Sequence, residues 1–334
     1  MTARSGSWTP GRTKRGKGWL LALLLALVLT ITACGGGSET TNSHNGATEE
    51  ASANVSAAPA GNSEFKKVKT VVGEIEIPLH PKRIVAEEYL GSLIPLGIKP
   101  VGAPGLTLQN VYFKEALQGV ADTGVYGKMN LEKIVELDPD LILSSSSENY
   151  AQLSKIAPTV VVPYGDLKNA HEELTYFGEL LGKQEEAKTW LKEYDERIAA
   201  AKAKVDQALP AEASFSILEV ADKSIYVYGD NFGRGGQPVY QALGRKPPAG
   251  VADELMEKQW AELSPEMVGK YAGDYLVITS NSLSLEELRK DPLWGTLPAF
   301  KNNRVYVWKE ERSWYYDPIA VLSQTEELAN WLAG

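Results

Sequence analysis

The longest uninterrupted hydrophobic pattern in the chain is helical and covers residues 183–209, which contain neither glycine nor proline. Apolar side chains recur there every three or four residues, at Leu191, Tyr194, Ile198, Ala201, Val205 and Leu209. This spacing places them on one face of a helix, and Pro210 ends the pattern. At full length the helix would be on the order of 40 Å long, more than the width of a small domain.

The two blocks on either side of this helix, residues 65–182 and 210–334, alternate short apolar runs with amphipathic stretches. In the first block, apolar runs at 84–86, 141–143 and 160–162 are separated by helical patterns, which predicts parallel strands. The second block begins with two strand patterns that suggest a hairpin, and it ends with a predicted helix from Asp317, its cap, to Leu332. Each block is long enough for its own core. We predict an α/β protein of two Rossmann-like lobes joined by the long helix, the alternative being a surface helix within one domain.

One spacing occurs in both blocks. Glu132 lies in the first turn of a helix that Asn130 is predicted to cap, and Asp140 follows eight residues later, directly before a strand pattern. Glu266 and Asp274 repeat this arrangement with the same separation, and Ser264 is predicted to cap the second helix. The helix dipole stabilises an acid in a first turn by about 0.3–1 kcal/mol, which alone could account for both glutamates. Because the dipole does not account for the identical spacing, we predict two lobes of similar fold related by pseudo-symmetry.

The amino-terminal residues have the pattern of a targeting segment. Five cations precede an uncharged apolar run from Trp19 to Ile31, which is short for a membrane span. The run leads through Thr32 and Ala33 to Cys34, the only cysteine of the chain. This stretch resembles a bacterial lipobox, although leucine is the usual first residue. We predict a lipoprotein signal peptide over residues 1–33 and lipidation of Cys34, the alternatives being an ordinary signal peptide or a retained anchor.

Residues 34–64 are rich in glycine, serine, threonine, asparagine and alanine and carry almost no large apolar side chain. Such a segment cannot bury enough apolar surface to fold, so it predicts a disordered tether. The formal net charge of the whole chain is −9, and loss of the five cations before Cys34 changes it to −14. A body this acidic argues against nucleic acid as a partner.

Histidine and cysteine are too few for a protein-ligated transition-metal site. The histidines are His44, His80 and His171, and no HxxxH pattern or cysteine cluster exists. The chain lacks a GxSxG motif and a histidine beside a plausible nucleophile. The stretch from Gly233 to Gly236 lacks the lysine and the spacing of a phosphate-binding loop. We predict no catalytic site and no metal site, an enzyme built on a two-lobed cleft being the alternative.

Five groups of residues follow one another in a characteristic order and spacing. They are PKRIV (81–85), NLEKI with DPDLI (130–142), NFGRGG with VYQALG (231–244), DPLW with AFKNNRVY (291–306) and YDPI (316–319). Together they resemble the substrate-binding lipoproteins of bacterial iron–siderophore ABC importers, from about Phe65 to the end of the chain. The resemblance implies the class III architecture of that family, in which one long helix joins two α/β lobes.

The resemblance also implies a function. The protein would capture a ferric siderophore and deliver it to an ABC importer, with Glu132 and Glu266 docking onto arginines of the permease dimer. The partner ATPase would drive import, and iron would be bound only within the chelate, so no cofactor is expected. We expect a monomer, lipid-anchored through Cys34 at the extracytoplasmic face of the cell membrane.

The ligand site is expected in the cleft between the lobes. A ferric chelate presents oxygen atoms, apolar arms and often a net negative charge, which an arginine fork and flat aromatic walls would recognise. By its motif, Arg234 matches the arginine that contacts iron-bound oxygens in hydroxamate-binding relatives. We add Trp314 and Arg312 from a loop of large and cationic residues, and Tyr126 and Tyr89 from positions that typically face the cleft in such folds.

The candidate residues and the cargo both have alternatives. Arg234 could be a surface arginine in a glycine turn, and rings of the loop around Trp314 could fill a lobe core instead. Only one arginine, Arg234, stands in a clear binding motif, and this favours a hydroxamate or mixed carboxylate siderophore. A catecholate siderophore, haem or cobalamin in the same fold are the other cargoes considered.

Overall fold

The computed structural model describes residues 65–334, so the predictions for the signal peptide, the tether and Cys34 lie outside the described residues. Two five-stranded sheets, one in each lobe, form the framework of this part of the chain. Within it, no helix is both long enough and apolar enough to cross a lipid bilayer.

The first lobe is built on a parallel sheet. In chain order its elements are β1 (Phe65–Thr70), β2 (Gly73–Pro78), β3 (Ile84–Ala86), α1 (Leu90–Leu93), β4 (Gly102–Ala103), α2 (Gly105–Leu108), β5 (Ala121–Asp122), β6 (Gly124–Val125), β7 (Lys128–Met129), α3 (Leu131–Glu136), β8 (Leu141–Ser144), α4 (Tyr150–Leu153), β9 (Thr159–Val161) and α5 (Ala170–Leu181). The sheet order is β5-β4-β3-β8-β9, and all its pairs are parallel, as predicted. The pairs β1–β2 and β6–β7 are antiparallel hairpins.

The second lobe has a mixed sheet. The long helix α6 (Gln184–Ala208) precedes this lobe. The elements of the lobe are β10 (Phe215–Ala221), β11 (Ser224–Tyr228), a π-helix (Gln237–Ala242), α7 (Ala252–Lys258), β12 (Trp260–Leu263), a 3-10 turn (Pro265–Met267), α8 (Val268–Tyr271), β13 (Tyr275–Ser280), α9 (Leu285–Lys290), a second 3-10 turn (Trp294–Thr296), α10 (Pro298–Lys301), β14 (Val305–Trp308), α11 (Glu310–Ser313) and α12 (Pro318–Ala333). The sheet order is β12-β11-β10-β13-β14. β10, β13 and β14 run parallel, whereas β11 and β12 are antiparallel neighbours.

The long helix is present as α6 (Gln184–Ala208). Leu191 and Tyr194 pack in the core of the first lobe, and Ala201 and Val205 pack in a core of the second lobe. One apolar face therefore contributes to both lobes, which explains why its pattern continues without a break. The predicted class of two α/β lobes joined by a long helix is confirmed.

A second helix also bridges the lobes. α12 lies beside α6, and its Leu322 belongs to the first lobe's core while Leu328 belongs to a core of the second lobe. Arg197 of α6 donates two hydrogen bonds to Glu326 of α12, at 2.8 and 2.7 Å. We had placed α12 in the second lobe alone. Two packed helices resist hinge bending better than one, so we expect lobe closure to be small.

The repeated aspartates have the same structural role in both lobes. Asp140 accepts hydrogen bonds from the backbone N–H groups of Lys82 and Arg83, at 2.7 and 2.9 Å. Asp274 accepts hydrogen bonds from the N–H and the hydroxyl of Ser214, at 2.9 and 2.7 Å. Each acid thereby fixes the start of the parallel strand beside its own, β3 beside β8 and β10 beside β13. This shared geometry supports the predicted pseudo-symmetry.

The two helices that carry the repeated glutamates begin differently. The Asn130 side chain caps α3 by accepting a hydrogen bond from the N–H of Lys133 at 3.2 Å, as expected. Ser264 was expected to cap the second helix, but its side chain makes no such bond. The reason is that Pro265 opens a 3-10 turn there, and α8 begins only at Val268.

Candidate functional site

The loop that carries Arg234 is fixed against the loop that carries Trp314. A Cβ atom at Gly233 would lie 2.6 Å from the Trp314 carbonyl oxygen, so only glycine allows this approach. The N–H of Arg234 donates to the carbonyl oxygen of Ser313 at 2.7 Å, and Arg234 itself has a left-handed backbone with φ of 57°. Arg234 is therefore held by the fold and is not a surface arginine in a mobile turn.

Three rings surround the guanidinium of Arg234. Its Cζ lies 4.9 Å from the ring centroid of Trp314, 5.1 Å from that of Tyr228 and 5.9 Å from that of Phe232. We call these three rings the aromatic cage. The Arg234 side chain is only 17% exposed, so cation–π attraction acts with little competition from water.

Glu219, on β10, holds the arginine and the cage together. Its Oε2 accepts hydrogen bonds from Nε of Arg234 at 3.3 Å and from the Tyr228 hydroxyl, and its Oε1 accepts one from Nε1 of Trp314 at 3.4 Å. The carboxylate is almost fully buried, and these donors compensate for its lost hydration. Burial and the bond to Glu219 raise the pKa of Tyr228. We did not predict Glu219, although an acid inside the apolar run of β10 was a usable signal.

The first lobe contributes a wall that contains Tyr126 and Glu88. Tyr126 lies in the β6–β7 turn, and its hydroxyl is 3.0 Å from Oγ of Ser145. Glu88 is half-buried just after β3. Burial raises the pKa of Glu88 to about 7, which the Tyr126 hydroxyl opposes and the Asp317 carboxyl reinforces. β3 and β8 both end beside this wall, as expected for a ligand site of an open α/β sheet.

Two tyrosines that we did not predict connect the lobes. Tyr164, which follows β9, meets Tyr316 edge to face, with ring centroids 5.3 Å apart. Burial raises the pKa of Tyr164, while the hydroxyl of Tyr316 and the charge of Arg234 act in the opposite direction. A Cβ atom at Gly233 would lie 3.7 Å from Cδ1 of Tyr316, so these rings lie beside the loop that carries Arg234, and Tyr164 is 45% exposed.

Tyr89 does not line the cleft as we predicted. Its side chain is buried, its hydroxyl donates to the Val162 carbonyl oxygen at 2.8 Å, and its ring lies 4.9 Å from that of Phe177. The left-handed backbone of Tyr89, with φ of 69°, accompanies this inward position at the start of α1. The residue therefore packs in the core of the first lobe.

Arg312 lies in a contact between the lobes. Its Nη2 donates to Oε2 of Glu327, and its Cζ lies 5.2 Å from the ring centroid of Tyr112 in the first lobe. The Tyr112 hydroxyl in turn donates to the Arg312 carbonyl oxygen at 2.8 Å. This guanidinium is thus already engaged by a carboxylate and a ring. Its predicted contact with the ligand stays a prediction.

A hollow of about 510 Å³ opens between the lobes next to Trp314. It is lined by Leu106 of the first lobe and by Asn281, Lys309, Glu310, Glu311, Trp314 and Tyr315 of the second. Its volume lies within the range of roughly 300–1,000 Å³ that small-molecule sites occupy. Trp314 is 38% exposed and contacts both Arg234 and this hollow. Among residues 65–334, no group of three or more histidine, cysteine or acidic side chains is placed to hold a metal ion.

The two glutamates of the repeated spacing are exposed, one on each lobe. Glu132 is in the first turn of α3, and Glu266 is in the 3-10 turn before α8. Hydrogen bonds from its own backbone N–H and from the Ser264 hydroxyl lower the pKa of Glu266. Glu266 is therefore ionised at neutral pH.

Comparison with known proteins agrees with this geometry. A family described as periplasmic binding protein matches residues 84–312. The chain is 35% identical over 320 residues to the iron(3+)-hydroxamate-binding protein YxeB of Bacillus subtilis, covering 94% of this chain and 95% of that protein. Staphylococcus aureus FhuD2 with bound ferrioxamine B is a structural neighbour, with a TM-score of 0.69, 32% identity, and coverage of 76% of this chain and 98% of that chain.

A second solved structure, the FhuD protein of S. pseudintermedius, gives a TM-score of 0.72 at 31% identity and covers 81% of this chain and 99% of that chain. The resemblance inferred from the sequence motifs is thereby confirmed. The chain belongs to the periplasmic binding protein family.

Proposed function

We propose that this protein binds a ferric hydroxamate siderophore outside the cytoplasm and delivers it to an ABC importer. The observation that carries the proposal is Arg234, fixed by Glu219 and the aromatic cage at the cleft, in a chain 35% identical to an iron(3+)-hydroxamate-binding protein. Iron enters only as part of the chelate, which supplies the metal ligands. The protein performs no chemical step and has no resident cofactor.

The cleft offers the two kinds of contact that such a chelate needs. Within residues 65–334, the side-chain hydrogen bonds of Arg234 use only its Nε, which leaves the N–H groups of both Nη atoms for hydroxamate oxygens. Trp314, Tyr164 and Tyr316 provide flat apolar surface for the linker arms of the chelate. The adjoining hollow extends this surface between the lobes.

A ligand panel tests the proposal. The mature protein contains tryptophans, including Trp314 at the cleft, that report binding by fluorescence quenching. We expect saturable quenching by ferric trihydroxamates at concentrations at least about tenfold below those needed for ferric catecholates, haem or cobalamin. This factor corresponds to a difference in binding free energy of about 1.4 kcal/mol. Absence of saturable quenching by every trihydroxamate would contradict the proposal, and chemical change of the recovered chelate would favour an enzyme.

We infer that Glu132 and Glu266 contact the importer. Both are exposed, each lies on a different lobe, and two carboxylates at a fixed separation suit charge-assisted hydrogen bonds from paired arginines of a permease dimer. Their placement in equivalent turns of the two lobes fits a partner that is itself two-fold symmetric.

Replacing Glu132 and Glu266 together with alanine should reduce cellular uptake of the radiolabelled ferric chelate to background while leaving its Kd within about twofold, since neither residue lies in the cleft. The matched control replaces two other exposed acids, Glu136 at the end of α3 and Glu257 on α7, and should keep normal uptake. Loss of chelate binding in the first variant would instead place these acids in the cleft or in the folding of the lobes.

We further propose that Cys34 carries the lipid that anchors the protein at the extracytoplasmic face of the cell membrane. Its support is the lipobox-like sequence before the only cysteine of the chain. A mature amino terminus other than lipid-modified Cys34, identified by mass spectrometry, would contradict this.

A further inference from the structure

We propose that the cleft selects ferric chelates without net negative charge, because Glu88 and Glu219 form a symmetry-related pair of carboxyl groups for which the cleft provides only one arginine. The inference rests on the proposed function and deepens it by naming the charge of the cargo. It reverses our expectation that Arg234 serves to match a negative chelate.

The two carboxyl groups occupy equivalent positions in the two lobes. Ile84 pairs with Leu141 directly after Asp140, and Phe215 pairs with Tyr275 directly after Asp274. Four residues beyond Ile84 comes Glu88, and four residues beyond Phe215 comes Glu219. Because each aspartate fixes the start of the adjacent strand in the same way, this count gives the two glutamates the same register position. Glu219 lies within β10, and Glu88 follows the end of β3 by two residues.

A tyrosine accompanies each carboxyl group. The Tyr228 hydroxyl donates to Glu219. The Tyr126 hydroxyl, which is 3.0 Å from Oγ of Ser145, lowers the pKa of Glu88 against the effect of burial. The resemblance ends there. Glu219 is paired with Arg234, whereas no ion pair between Glu88 and a lysine, arginine or histidine exists within residues 65–334.

The pairing in the second lobe leaves little net charge. The carboxylate of Glu219 and the guanidinium of Arg234 are 3.3 Å apart, so their fields largely cancel at the distance of a bound chelate. The Nη groups of Arg234 can still donate hydrogen bonds, so the arginine recognises oxygen atoms without supplying an uncompensated positive charge. The first lobe adds the carboxyl group of Glu88, which is partly ionised at neutral pH because burial raises its pKa to about 7. In the adjoining hollow, Lys309 is outnumbered by Glu310 and Glu311, so an anionic chelate would meet an excess of carboxyl groups.

Three matched ligands test this inference. They are linear ferric trihydroxamates with one iron-binding core and a terminal ammonium, acetamide or succinamic acid group, so that they differ mainly in net charge. At low ionic strength, where screening is weak, we expect the unaltered protein to bind the anionic ligand at least about tenfold more weakly than the neutral one. Equal or tighter binding of the anionic ligand would overturn the inference.

Variants assign the effect to the two carboxyl groups. Glu219→Gln and Glu88→Gln preserve shape and should each reduce the discrimination against the anionic ligand by about threefold or more. Glu326→Gln removes the same charge from the ion pair with Arg197 between α6 and α12. It should leave the ratio of the affinities for the neutral and the anionic ligand unchanged. An unchanged ratio in both cleft variants would also overturn the inference.

The design separates this inference from the proposed function. If the unaltered protein binds none of the three chelates, the proposed function fails. If it binds all three without regard to charge, only the charge selectivity fails. Circular dichroism monitors folding, and should Glu219→Gln not fold, the ratios for the unaltered protein and for Glu88→Gln still decide the question.

Discussion

Replacing Arg234 with methionine should weaken binding of a ferric trihydroxamate by about a hundredfold or more. Methionine fills a similar volume within the aromatic cage but removes the guanidinium fork, and each hydrogen bond to a charged group contributes about 1.5–3 kcal/mol. The buried Glu219 would keep hydrogen bonds from Tyr228 and Trp314, so the fold should survive. Titration by tryptophan fluorescence or calorimetry measures the loss.

Two further arginine variants define the origin of this effect. Arg234→Lys keeps the charge without the planar fork and should recover only part of the affinity. Arg289→Met, at an exposed position on α9, changes the net charge equally and should bind like the unaltered protein. If Arg234→Met binds within about threefold of the unaltered protein, the fork does not contact the ligand.

The stability of the protein should decrease as the pH rises from about 5 to 9, chiefly because of Glu173. This carboxyl group is 3% exposed, and burial raises its pKa to about 8, an effect that the Ser92 hydroxyl opposes and the Asp317 carboxyl reinforces. Folded Glu173 therefore keeps a proton that the unfolded chain releases above its ordinary pKa of 4.5. Its stabilising contribution is fully present below pH 4.5 and is lost as the pH rises through about 8.

The loss from Glu173 alone is on the order of 3–4 kcal/mol, a large fraction of the about 5–15 kcal/mol by which a typical domain is stable. Burial also raises the pKa of Glu88 to about 7 and that of Asp317 to about 6, so both act in the same direction. Denaturant unfolding of the ligand-free protein between pH 5 and 9 measures how steeply the free energy of unfolding falls with pH.

Glu173→Gln should flatten the dependence on pH and make the protein more stable than the unaltered chain at pH 9. Glu179→Gln, an exposed position on the same helix α5, serves as the control and should keep the original slope. A slope of opposite sign in the unaltered protein, or one that Glu173→Gln leaves unchanged, would show that Glu173 is ionised in the folded state.

Features that depend on near neighbours in the chain could be predicted well. The helix over 183–209, the hairpin that follows it, and the caps at Asn130 and Asp317 all arise from residues a few positions apart. Ser264 is the exception among the caps, because Pro265 favours a 3-10 turn over a regular first turn. Such patterns report on local backbone preferences, which tertiary packing mostly left intact.

The candidate site was harder to predict because its members are far apart in the chain. Arg234 and Trp314 were identified from their motif and composition, and the structure stacks them. Glu219 was missed, since its importance depends on Trp314, which lies 95 residues away. The position of Tyr89 was predicted wrongly because its side chain points into the core of the first lobe. Neither this direction nor its left-handed backbone can be read from the neighbouring residues in the sequence.

The sequence by itself determined the two α/β blocks, the long helix and the repeated Glu–Asp spacing, because periodicity and spacing follow from local geometry. Only the tertiary structure decided that α12 is a second bridge and that Arg234 is neutralised by Glu219. Both depend on which side chains meet after the lobes have packed. The charge of the cleft is therefore a property of the fold, since the same residues unpaired would have suited an anionic ligand.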